Sequence, residues 1–185
     1  LLFSCCFHLF VCLVSLFSTL VGLLLSLFFS LAYDGLRLSF AFLGLGDFYK
    51  SQGHTFADEV DTLRANWDKH DFFFIHYKPA DAAGEDGDFD AKVRCLEELD
   101  PFIPQILELE PDVLMVAGDH ATPAIMAAHS WHPVPFLLHS KLTKGQGVPT
   151  FDEKACALGA IGSIPATSIM VLGLSHAGKM TKFGP

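Results

Sequence analysis

The chain has 185 residues, enough for one domain with a substantial core, and carries a formal net charge of −9 with no cluster of Lys and Arg. That balance excludes nucleic acid as a partner, because phosphate contacts need grouped cations, but it suits a site that gathers divalent cations. The apolar share of 51% is unevenly spread: residues 1–33 contain no Asp, Glu, Lys or Arg, and an ordinary soluble composition begins at Asp34.

Residues 1–32 are rich in Leu, Phe, Val and Ser and long enough to cross a bilayer, which takes about 20 apolar residues as a helix. A basic leader and a small-residue cleavage site are both missing, so a signal peptide is not indicated. The first residue is Leu and not Met, so the start of the gene product is expected upstream. Three readings fit the segment: a membrane anchor, a buried helix, or the remnant of a truncated or mis-spliced gene. The expectation is one long apolar helix over residues 1–32 that does not complete the domain core, then a connector over 34–54. Cys5, Cys6 and Cys12 lie in this stretch, and Cys95 and Cys156 lie far apart in helical patterns. With no C-x-x-C pair and no zinc spacing, they read as reduced, small hydrophobic residues in a cytosolic setting.

Thr55-Phe56-Ala57-Asp58 has the form of a capping box, and Phe56, Val60, Leu63 and Trp67 recur at helical spacing after it. Asp71 to Tyr77 is dense in aromatics and Ile, the composition of a strand buried on both faces. From Val93 to Leu107 a helical pattern returns, with Pro101 and Pro104 placed to break it. Asp112 to Ala117 predicts a second buried strand, Val134 to Leu138 a third, and Ser168 to Ala177 a closing helix. Strands alternating with helices predict an α/β fold, a parallel sheet with helices on both faces. In such a sheet, polar residues just past the carboxyl ends of strands face the ligand crevice.

Two loops have that placement, Lys78 to Asp88 and Gly118 to His132. In the first, Asp81 and Glu85 are four residues apart, so a helical turn would let both carboxylates converge on one hard cation. The second opens with Asp119-His120 at a strand end, and His129, Ser130, Trp131 and His132 follow closely. Carboxylates mixed with imidazoles suit Mn, Zn or Mg-like sites, with His favouring the transition metals. The acidic run Glu85-Asp86-Gly87-Asp88 is not an EF-hand loop, because the required Gly and terminal Glu are misplaced. Acidic loops are mostly solvated turns, so these residues suggest a metal without naming a reaction.

At these loops the sequence resembles the archaeal-type, 2,3-bisphosphoglycerate-independent phosphoglycerate mutases, members of the alkaline phosphatase-like metalloenzymes. The resemblance is carried by Phe73-Phe74-Ile75-His76-Tyr77-Lys78, by Asp81-Ala82-Ala83-Gly84-Glu85-Asp86-Gly87-Asp88-Phe89 and by Gly118-Asp119-His120-Ala121-Thr122-Pro123-Ala124. His129-Ser130-Trp131-His132-Pro133-Val134-Pro135 and the tail Phe183-Gly184 complete it. It runs from about Thr55 to Pro185, the C-terminal part of the metalloenzyme domain.

The resemblance implies a layered alkaline phosphatase-like sheet and a two-metal site, with Asp81, Glu85 and His129 on one ion and Asp119 and His120 on the other. It implies a cytoplasmic isomerase of glycolysis, an intramolecular phosphotransferase that interconverts 3- and 2-phosphoglycerate through a phosphoserine without 2,3-bisphosphoglycerate. Two cations would clamp the attacking and leaving oxygens and lower the pKa of the nucleophile. Glu85 stands where many relatives have His, which favours Mn or Mg over Zn or Co. The nucleophilic serine and a further aspartate ligand belong to an N-terminal half with no match in residues 1–53. No catalytic residue is therefore assigned, and this stretch alone is expected to bind metal at most. The alternatives are a metal-dependent phosphatase or phosphonate-handling relative, or a non-catalytic domain tethered to a membrane through residues 1–32. The sequence carries no signal of oligomeric state.

Overall fold

A computed structural model describes residues 9–14, 55–143 and 147–180 of the chain. Thr55 starts the first helix, α1 (Phe56–Asn66), through a complete capping box. Its hydroxyl accepts from the Asp58 amide at 3.3 Å, and the Asp58 carboxylate accepts from the Thr55 amide at 3.0 Å. Two of the amides that a helix start leaves without partners are satisfied in this way. Strand β2 (Phe72–Tyr77) follows, then α2 (Pro79–Glu85), α3 (Phe89–Leu99) and α4 (Phe102–Leu107). The break between α3 and α4 falls at Pro101, where a missing amide hydrogen and ring sterics end a helix. Strands β3 (Val113–Ala117) and β4 (Phe136–Ser140), the short α5 (Glu153–Ala157) and α6 (Ile169–His176) complete the described order.

The sheet order is β2-β1-β3-β4, with β1 formed by Leu9–Val14. This corrects the expectation of one long helix over residues 1–32. Six of those residues are a strand, inserted between β2 and β3 and antiparallel to both. A charge-free run rich in Phe, Val and Leu fits a central strand as well as a helix, and periodicity alone does not separate the two. The remainder of that segment and the connector over 34–54 lie outside the described residues. Among the described residues, no helix is long and apolar enough to cross a membrane.

The sheet is not parallel as expected, since β3 and β4 also pair antiparallel. β2 and β3 do run in the same direction, as the helical crossover between them requires, but β1 separates them. β2 is not buried on both faces either. As an edge strand it alternates, with Ile75 and Tyr77 buried and Phe74 and His76 exposed. β3 is buried throughout. Leu114 and Val116 face a core with Val60, Leu63, Leu99 and Ile106 from α1, α3 and α4, while Val113 and Met115 face Met170 and Ala177 of the α6 region. Helices thus cover both faces of the sheet, and the loops after β2 and β3 leave it at the same end.

Candidate metal centre

Each half of the site is shaped by local rules of chain folding. Beyond β2 the chain turns straight into α2, with Pro79 at the first helical position, where its missing amide hydrogen costs nothing. Asp81 therefore sits in the first turn, and it is 2% exposed. The helix stops at Asp86. Gly87 then takes φ +71°, a conformation that a side chain disfavours, and a Cβ there would lie 3.4 Å from the Ala124 carbonyl oxygen. That close approach brings the first loop onto the second. Asp88 caps α3 by accepting from the Ala91 amide at 2.8 Å, so part of the acidic run serves the backbone.

The second loop is closed by an isolated bridge between Ala121 and Ser130, with the Ser130 amide donating to the Ala121 carbonyl at 2.7 Å. The turn between them holds Ala127 at φ 47°, unusual for a residue with a side chain. Folding the loop back brings His129 against His120, their ring centroids 3.9 Å apart.

The five residues singled out from the sequence lie together. One donor atom each from Asp81, His120 and His129 falls within 4.8 Å of the others. His129 Nε2 is 3.8 Å from Asp81 Oδ1 and 3.2 Å from Glu85 Oε1. Asp119 joins through His120, with its Oδ2 3.5 Å from His120 Nε2. His120 stands with Asp81 and His129, so the close triad draws on both of the expected ligand sets. A cation bound at about 2.0–2.3 Å needs its donors roughly 3–4.3 Å apart. The donor set is of the right type, and its spacing needs only small adjustment, so these residues fit a divalent metal.

Two residues at this centre were not singled out from the sequence. Thr122, fully buried, donates its hydroxyl to Asp81 Oδ1 at 2.8 Å and lies 3.1 Å from His120 Nδ1. Lys92 of α3, 2% exposed, donates from Nζ to the Thr122 carbonyl at 2.6 Å. The signal was present: Lys92, Leu96 and Leu99 recur at positions i, i+4 and i+7, which puts a lysine on the core stripe of its helix.

A cluster of donors suited to a metal, at one end of the sheet, accords with what sequence comparison finds. Residues 46–176 match the Metalloenzyme superfamily, and the chain belongs to that superfamily. More particularly, it is similar to proteins described as probable 2,3-bisphosphoglycerate-independent phosphoglycerate mutases. Identity is 50% over 132 residues with that of Thermotoga petrophila, 46% over 138 with that of Aquifex aeolicus and 42% over 135 with that of Thermus thermophilus. These matches cover 71%, 75% and 73% of this chain and 33%, 34% and 33% of the relatives, so the chain spans about a third of the length of the curated relatives it matches. Among solved structures, the PH0037 protein from Pyrococcus horikoshii aligns with a TM-score of 0.65 at 30% identity, over 69% of this chain and 40% of that one.

Proposed function

We propose that this chain supplies the divalent-cation site of a 2,3-bisphosphoglycerate-independent phosphoglycerate mutase, an isomerase interconverting 3- and 2-phosphoglycerate. The observation that carries the reading is the meeting of Asp81, His120 and His129 within 4.8 Å, from two loops that follow different strands. Similarity to the named mutases supports the choice of reaction. When bound, a divalent ion would neutralise phosphoryl oxygens and make a nearby hydroxyl more acidic.

The chain's own residues have distinct parts in this reading. Asp81, buried at the start of α2, offers the anionic donor that anchors the ion. His120 and His129 offer ring nitrogens, which favour a transition ion such as Mn. Glu85, half-exposed beside His129, biases the set toward harder ions. Asp119, next to His120, is placed to serve a second ion or to orient that ring. A nucleophilic serine is not assigned within these residues, and Ser130 is engaged with His132 Nδ1 at 2.8 Å.

Calorimetric titration of the full chain with Mn²⁺ tests the site. One measurable site is expected, abolished by Asp81→Ala and only weakened by Asp119→Ala. Two equally tight sites, or no binding, would refute it. The reaction is tested separately by ³¹P NMR with 3-phosphoglycerate and any longer protein that carries these residues. Release of inorganic phosphate without 2-phosphoglycerate would point to a phosphatase instead.

A further inference from the structure

We propose that Thr122 is the positioning residue of this centre, setting the geometry of Asp81 and His120 together, and that Lys92 acts through it. The proposal rests on the metal-site reading above. The Thr122 hydroxyl has one hydrogen and gives it to Asp81 Oδ1 at 2.8 Å. Toward His120 Nδ1, 3.1 Å away, it can therefore only accept. Nδ1 must then carry the ring hydrogen, which leaves the lone pair on Nε2, the nitrogen nearest Asp119. One buried hydroxyl thus orients a carboxylate from the loop after β2 and fixes the tautomer of an imidazole from the loop after β3. Partners one bond removed from a metal tune it in this way.

Lys92 explains how the hydroxyl is held. Its ammonium donates to the carbonyl of the same threonine, pinning that backbone from the α3 side. A buried ammonium is costly to desolvate, and Met or Leu would fill the same space without that cost. An ammonium cannot ligate a cation, so any influence on the site is indirect. The sign of the effect separates two modes of action. If Lys92 acted by charge alone, removing it would strengthen cation binding. If it acts by holding Thr122, removing it weakens binding.

The test is Mn²⁺ affinity of the full chain by calorimetry, with the visible absorption of the Co²⁺-loaded chain as a readout of coordination geometry. Thr122→Val, nearly isosteric, is expected to weaken Mn²⁺ binding roughly 10–100-fold and to shift the Co²⁺ bands. Thr122→Ser, which keeps the hydroxyl, should restore both. Lys92→Met should weaken binding, and the double variant should be no weaker than Thr122→Val alone. Wild-type affinity in Thr122→Val, tighter binding in Lys92→Met, or additive losses in the double variant would each overturn the proposal. A Lys92→Met chain that does not fold overturns the assignment of Lys92, whose part would then be structural. Failure of the wild-type chain to bind either ion is seen before any variant is made, and it removes the metal reading itself and this inference with it.

Discussion

Gly173 of α6 lies directly over Met115 of β3, so close that a Cβ on the glycine would stand 2.6 Å from Met115 Cε and 2.9 Å from its Sδ. Met115 is 1% exposed, so the end of its side chain must shift within the core to make room. Gly173→Val should destabilise the fold by about 1–3 kcal/mol through overpacking. The loss should shrink in a Met115→Ala background, because the two sites share one space. Urea unfolding of the single and double variants checks this, and additive losses would count against the contact.

The capping box of α1 predicts a second effect. Thr55→Ala removes the acceptor for the Asp58 amide and should cost about 1 kcal/mol. Thr55→Ser should cost much less. Both midpoints are read from thermal or denaturant unfolding.

Glu59, half-buried on α1, has its carboxyl pushed above the ordinary 4.5 by burial, partly offset by a hydrogen bond from the His76 backbone amide. An acid with a raised folded pKa holds its proton more tightly in the native state. Its contribution therefore favours folding at low pH and is lost as pH rises from the ordinary value through the raised one. Denaturation midpoints measured across that window should show a smaller decline in Glu59→Gln than in the wild type. An unchanged slope would remove Glu59 as the cause.

Glu85 allows a test of ion preference. Glu85→His replaces a carboxylate beside His129 with an imidazole and removes a negative charge. Competition titrations should show the ratio of Zn²⁺ to Mn²⁺ affinity rising at least several-fold, since imidazole suits zinc better than the harder ions. An unchanged ratio would mean that Glu85 stays outside the coordination sphere.

Local chemistry made much of this fold readable. The Thr55 box, the Pro101 break and the fully apolar run Val113–Ala117 are each decided by a few neighbouring residues, and each stands where its sequence puts it. The strand at Phe136–Ser140 begins two residues later than Val134, because the two prolines before it delay pairing. The loop from Lys78 contains a full helix, α2, where the sequence suggested only a turn with helical tendency. Strand direction was not legible, since pairing partners far apart in sequence decide it, and Leu9–Val14 has no local mark of the place it takes. The carboxylates and imidazoles of the site were legible by residue type and loop position. Lys92 was legible only as a lysine on the core stripe of its helix, and its role and that of Thr122 were not, because those come from contacts across 30 and 41 residues of chain.

The central placement of β1 has a kinetic side. Val14 pairs with Phe72 and with Val113, so neither flanking strand completes its ladder until a segment remote in sequence has arrived. Closing such loops is entropically costly before any contact compensates it, and topologies dominated by distant pairings fold slowly. The crossover β2-α2-α3-α4-β3 can collapse early around Ile106 and Leu114, but the ends of β2 and β3 from which the two ligand loops spring gain their spacing only when the intervening strand docks. Assembly of the ligand cluster is therefore expected among the last events of refolding, with cation capture reporting the arrival of the strand.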